Sequence, residues 1–324
     1  MFRTDDHRRL ASFLEYLERV GRADSTRLVY AQGVEDLLAA AECSLATLTA
    51  SDLDAYLARW RTAFIEKNRR PPSPATYRNR VNALRAFYYW LERFDLLRDS
   101  DGAVVSNPMR WIDVPRVEQR TNDWLRATEA QALISALIPA HERFIVDLLR
   151  WTGLRVGEAV SLLISDVDLS PGNETIFVRE SKTPAGRRAI PVFPVLVPAL
   201  VERVHALTVD SPFIDVPLLL TRHRTPMKPS YVWRVVKRAS FRAGVRVVPC
   251  LCQTDLSTQE RGCPRTRTGE HLSRVSPHTL RRTFGSHLVN RGVRLEVVSR
   301  LLGHASTNVT ERAYAELSLR NRET

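Results

Sequence analysis

The sequence predicts a two-domain, mainly α protein: a helical N-terminal domain followed by an α+β domain with a small antiparallel sheet. Three observations predict it. The 324 residues are enough for two cores, and the stretch from Asn107 to Thr121 reads as a break between them. Apolar residues recur at helical spacing through most of the chain. Residues 175 to 180 and 187 to 192 favour two strands joined by Ser181-Lys182-Thr183-Pro184-Ala185-Gly186. The division is therefore residues 1–109, a connector at 110–122, and residues 123–324. The absence of a Gly-rich phosphate loop argues against a nucleotide-binding βαβ fold.

In the first domain, Leu10, Phe13, Leu14 and Leu17 share one helix face, and Leu28, Val34, Leu37 and Leu38 line the next helix. Thr49 is placed to cap a short helix through Leu57 and Trp60, with Asp52 as an acidic first-turn partner. Lys67-Asn68-Arg69-Arg70-Pro71-Pro72 reads as a basic turn. Ser73 and Pro74 then open a long helix through Tyr77, Val81, Leu84, Tyr88 and Leu91, because serine caps and proline suits the first helical position. Arg69, Arg70, Arg78, Arg80 and Arg85 could border a DNA groove, with Tyr77 near the backbone. Equally, each could belong to an ordinary solvated surface.

In the second domain, helical stretches around Ala127 to Leu137 and Arg143 to Trp151 precede the segment Thr152 to Glu158, another short helix and the hairpin. Further helices are expected at about 193–207, 229–242, 277–290, 294–302 and 311–318.

A net charge of +12 favours a polyanionic partner, since lysine and arginine fix phosphates and release counterions. With 36 acidic residues also present, the chain reads as a globular protein with basic faces rather than a basic tail. The start lacks the apolar stretch of a signal peptide and no run reaches membrane-spanning length, so the expected location is cytoplasmic or nucleoid-associated, with no membrane partner. Four cysteines do not make a disulfide framework in a chain this long, and Cys43 reads as a small apolar core residue.

The residues suited to phosphate chemistry are scattered. Arg155 lies between Gly153 and Gly157 at an expected helix start, and its planar fork can grip two phosphate oxygens or pair with Glu158. Ser276 and Pro277 suit the cap and first position of a helix that puts His278 and Arg281 one turn apart, facing one group. His304 follows a helix ending at Leu301-Leu302-Gly303, where a turn can bond backbone or phosphate. Tyr314 gains interest only from this company.

These boxes, in this order, resemble the tyrosine recombinases, the phage integrase family. The matching residues are Thr152-Gly153-Leu154-Arg155-Val156-Gly157-Glu158, the hairpin Lys182, His278-Thr279-Leu280-Arg281, Leu302-Gly303-His304 and Tyr314. The resemblance implies a catalytic set of Arg155, Lys182, His278, Arg281, His304 and Tyr314, with Glu158 supporting the first arginine. It implies a helical core-binding domain and a catalytic domain clamped around duplex DNA with inverted-repeat-like arms. Four protomers would act on two sites, or a dimer on one, with a partner recombinase or accessory protein as a further partner. Cleavage through a 3′-phosphotyrosyl bond needs no catalytic cofactor, because the covalent link conserves the phosphodiester energy.

Two departures stand out. Tyr314 follows His304 by ten residues, one more than in most relatives. Residues 248 to 276 form a longer link than usual, and Cys250, Cys252, Cys263 and His271 within it could hold a structural zinc or form a polar loop with free thiols. Two other readings remain at this level: a type IB topoisomerase, and a DNA-binding regulator or architectural protein without strand exchange.

Overall fold

Helical periodicity dominates the sequence, and the computed structural model builds it into eleven α-helices and one small sheet among the described residues. These are residues 2–68, 71–98, 101–114, 123–136, 138–179, 186–209, 216–247, 273–304, 306–308, 310–311 and 314. The chain divides into two compact units, Met1–Gln119 and Arg120–Thr324.

The first unit contains α1 (Phe2–Arg19), α2 (Asp24–Ala40), α3 (Ala50–Asn68) and α4 (Pro74–Arg93). Their apolar stripes meet in one core that includes Phe13, Leu37, Leu57, Leu84 and Phe87, each buried side chain contributing roughly 1.5–3 kcal/mol. Helices α2 and α4 cross where Gly33 faces Ala83, and a methyl on Gly33 would lie 2.6 Å from the Ala83 Cβ. Arg80 ties this crossing together by donating to the Gln32 and Gly33 carbonyls and to Asp36 at 2.5 Å. Met109, Ile112 and Val114 also pack on this core, so the chain stays with the first unit past Asn107.

Three expectations need correction. Leu28 is 71% exposed, since six residues of helix turn it about 240° from Val34 and off the buried stripe. Helix α3 is not short: it runs on to Asn68 and takes in the first two residues of the expected basic turn. Cys43 is exposed in the turn after α2 and is not a core residue.

The second unit begins with α5 (Ala127–Ser135), α6 (Ala140–Thr152) and α7 (Val156–Ser161). Strands β1 (Val167–Asp168), β2 (Thr175–Val178) and β3 (Arg188–Pro191) form an antiparallel sheet in sequence order, with Val178 opposite Arg188. The two-residue β1 was not expected from the pattern. Helices α8 (Val197–Thr208), α9 (Pro229–Arg242), α10 (Pro277–Asn290) and α11 (Leu295–Leu302) complete the unit. Helix α10 is central, with ten buried residues including Leu280, Phe284 and Leu288. Buried Glu142 locks α6 to α9 by accepting from Arg238 and from Arg242 at 2.7 Å. No helix among the described residues is long and apolar enough to cross a membrane.

Candidate active site

Two glycines create the floor of the site. Helix α6 ends at Gly153 (φ 63°) and α11 at Gly303 (φ 62°), both in the left-handed region that glycine enters without steric cost. Gly153 is doubly constrained, because a methyl there would come 2.5 Å from the Phe284 ring. Such helix ends leave carbonyls unpaired and carry the negative end of the helix dipole, so they attract arginine. Arg281 donates to the Gly153 carbonyl at 2.7 Å and to the Leu302 carbonyl, while Arg155 donates to the Gly303 carbonyl at 2.8 Å.

Glu158 joins the two helix ends. It sits in the first turn of α7, where it accepts from the Arg155 backbone N–H at 2.9 Å and the Arg155 side chain at 2.6 Å. Arg188 on β3 reaches it at 3.0 Å through Nη2 and also donates to the carbonyls of Leu301 and Gly186. Arg281 Nη1 lies 3.9 Å away. Burial alone would raise the Glu158 pKa, but Arg188 first and then Arg155 outweigh it and hold the carboxyl below its usual range. Three guanidinium groups thus share one carboxylate, leaving a surplus of positive charge suited to a phosphate.

The arginines differ in access. The Arg155 side chain is 38% exposed, whereas that of Arg281 is 4% exposed. Burial, then repulsion from Arg155, brings the Arg281 pKa down to about 9, so it remains cationic at neutral pH.

Both site histidines are held toward the neutral form. Burial, followed by the charges of Arg281 and Arg155, pushes His304 down to about 4, and its Nδ1 pairs with Thr310 Oγ1 at 2.7 Å. His278 occupies an exposed position on α10, where surrounding protein and then Arg282 and Arg281 lower its pKa.

Tyr314 is only 2% exposed and packs with Phe284, Leu288 and Leu302. Its hydroxyl donates to the Arg282 carbonyl at 3.2 Å. Burial raises its pKa to about 12, with Arg281 and Arg282 opposing that rise. Gly285 makes the seat possible, as a methyl there would collide with the Tyr314 hydroxyl and lie 2.5 Å from its Cζ. The Trp124 ring lies 6.2 Å from that of Tyr314, and Arg246 fixes Trp124 by donating to its carbonyl at 2.6 Å.

The structure therefore gathers Arg155, Glu158, His278, His304 and Tyr314 around Arg281, each within its electrostatic reach. Lys182 lies outside the described residues, in the connection between β2 and β3. Arg69 and Arg70 also lie outside them, as do Cys250, Cys252, Cys263 and His271. Arg78 is exposed on α4. Arg80 and Arg85 are engaged within the first unit, Arg80 with Asp36 and Arg85 with the Ile112 carbonyl at 2.7 Å. Tyr77 is half-buried against Trp60.

Sequence reasoning missed Arg188, although a signal was present. Arg188, Ile190 and Val192 alternate in phase, and a charge in phase with buried aliphatics must have a partner inside. Gly285 and Trp124 gave no comparable signal, because their importance comes from Tyr314 packing beside them.

The model of the phage integrase family matches residues 123–320. The chain is 24% identical over 302 residues to a tyrosine recombinase of Thermosipho africanus (strain TCF52B), covering 92% of this chain and 91% of that protein. It is 27% identical over 306 residues to tyrosine recombinase XerA of Pyrococcus furiosus, covering 93% and 87%. Its fold is similar to that of the Tn1549 transposon integrase in complex with transposon right end DNA, with a TM-score of 0.67 at 18% identity over 97% of this chain and 98% of that one. A XerH site-specific recombinase bound to palindromic difH substrate gives a TM-score of 0.66 at 19% identity, covering 92% and 78%.

Proposed function

The chain belongs to the phage integrase family of tyrosine recombinases, and from that membership we propose that it is a site-specific recombinase that cuts and rejoins duplex DNA through Tyr314. The observation supporting this most strongly is the surplus of guanidinium groups around Glu158, beside a tyrosine whose hydroxyl bonds to the helix bearing His278 and Arg281.

A DNA phosphodiester repels nucleophiles and has a poor leaving group. Arg155 and Arg281 clamp the nonbridging oxygens, and His304 adds a hydrogen bond as negative charge develops. Tyr314 gives up its bond to Arg282, and its oxygen attacks phosphorus. The phenolic proton passes to His278, which is neutral at pH 7 and able to accept it. As the P–O5′ bond breaks, Lys182 protonates the departing oxygen. The products are a 3′-phosphotyrosyl bond and a free 5′-hydroxyl. A 5′-hydroxyl from a partner duplex reverses the chemistry; one pair of exchanges makes a Holliday junction and a second resolves it. Four protomers on two sites with inverted-repeat-like arms supply the four strand cuts.

The test is incubation of the full chain with nicked duplexes from DNA flanking its gene and from chromosome-resolution sites, followed by denaturing gels. The expected result is a covalent protein–DNA band with wild type and none with Tyr314→Phe. A band that persists in Tyr314→Phe would exclude this nucleophile. Sequence-specific binding with no covalent band, when a known relative cuts its own site in parallel, would favour a DNA-binding regulator.

A further inference from the structure

Behind α10, away from Tyr314's seat on Gly285, lies a cavity of about 100 Å3. Its polar lining comes from Arg150 on α6 and from Thr283, Ser286, His287 and Asn290 on α10, while α5 supplies apolar wall. Arg150 is only 9% exposed, and its Nη1 has no hydrogen-bond partner. Among the described residues no carboxylate lies within ion-pairing distance of it. His287 Nε2 is also buried without a partner. Thr283, by contrast, is satisfied: its hydroxyl accepts from the Leu125 N–H and donates to the Thr279 carbonyl.

A buried arginine without a carboxylate is costly, and unused buried donors are uncommon in folded proteins. Trp151 offsets part of that cost, since the Arg150 guanidinium sits 4.5 Å over its ring, and the His287 ring meets the same indole edge-on at 5.5 Å. Aromatic contact leaves the N–H donors free. Asp147, one turn before Arg150, gives only a longer-range attraction, and Arg291 adds positive charge near His287.

We propose that this cavity binds one small oxyanion, held by the Arg150 guanidinium and the His287 ring once their orphaned nitrogens, closed to solvent in this structure, turn into it, with Ser286 and Asn290 at its polar side. The volume of about 100 Å3 matches a single small group such as a phosphate or a carboxylate. Asn290 is exposed and marks the polar approach. The site is separate from the Glu158 cluster, and its test reads binding rather than recombination, so it stands or falls independently of the proposed function.

Inorganic phosphate and acetate are titrated into the full chain, each against sodium chloride at matched ionic strength. Thermal midpoint and the NMR signals of labelled histidines are followed. His287 now has its proton disfavoured by burial, Arg291 and Arg150; a bound anion favours the charged form and raises its pKa. The expected result is a saturable rise in the His287 pKa and in the thermal midpoint. Arg150→Met should weaken apparent affinity about ten-fold or more, the loss typical of a charged hydrogen bond, and Arg150→Lys should fall between. His287→Gln supplies an independent variant read by thermal midpoint alone, with a smaller loss. Phosphate acting without acetate identifies a tetrahedral anion, and both acting identifies oxyanions generally. Effects equal to those of chloride, or retained in a folded Arg150→Met, would overturn the site and leave the cavity to water.

Discussion

At the α2–α4 crossing of the N-terminal unit, Arg80 and Asp36 meet one to one. In the C-terminal unit Glu158 is shared by Arg155 and Arg188, with Arg281 at 3.9 Å and two neutral histidines alongside. The first arrangement is complete by itself: charge, donors and the crossing helices satisfy one another. The second is electrostatically unfinished, holding more cation than its carboxylate neutralises. Helix-end carbonyls carry part of the difference, and an incoming phosphate would carry the rest. Both regions draw arginine out of solvent, but only the surplus marks a place for an anion.

The largest test of that contrast is Glu158→Gln. It leaves buried Arg188 and Arg281 without their anion, so stability should fall by about 3–5 kcal/mol. If the folded variant is recovered, covalent complex formation should drop by about 10²–10³, as when a charge-stabilising group is lost. Denaturant unfolding and the adduct gel measure the two effects. A change as small as that expected for Asp36 below would break the comparison.

Next come two glycines. Gly33→Ala drives a methyl against Ala83 at a fixed helix crossing, while Gly285→Ala drives one against the Tyr314 side chain. Both should cost about 1–3 kcal/mol, with Gly285→Ala the milder because a side chain moves more easily than a helix. The Gly285 variant should also let one tyrosine titrate below about 12, nearer its usual 10, by ultraviolet difference spectroscopy. An unchanged high-pH tyrosine would mean that Gly285 does not set Tyr314's position.

The pH dependence is a smaller effect. His304 has a folded-state pKa of about 4, below the usual 6.5 of an unfolded chain. The unfolded chain therefore binds the proton first, so this contribution to stability is full above pH 6.5 and is lost as pH falls from 6.5 through 4, by of order 1–3 kcal/mol. His304→Gln should flatten the slope of stability over that window. The smallest effect is Asp36→Asn, expected at about 0–1 kcal/mol because Asp36 is partly exposed, with covalent complex formation unchanged.

Much of this was legible in the sequence for identifiable reasons. Ser73-Pro74 and Ser276-Pro277 specify helix starts through local backbone chemistry, and α4, α9 and α10 begin where those signals or the apolar pattern place them. The capping exchange between Thr49 and Asp52 formed as expected. Leu28 departs from the buried lining of Val34, Leu37 and Leu38 because the helical turn between 28 and 34 carries it to another face. Cys43 was misplaced because residue type alone says little about a turn.

By itself the sequence determined the residue types and their order: two glycine-ended helices, a capped His-x-x-Arg helix, a tyrosine after Leu-Gly-His, and an excess of basic charge. Those are local properties, set by backbone dihedrals, capping and side-chain chemistry. Only tertiary structure decided that Arg155 and Arg281 would be anchored on carbonyls of two different helix ends, that Arg188 would join them at Glu158, and that Tyr314 would lie against Gly285. Those contacts join residues between 21 and 148 positions apart, well beyond one helical turn, or depend on a clearance with no side chain to announce it. Burial then determines which charge must be shared and which hydroxyl is held back, because low-dielectric surroundings penalise every group left without a partner.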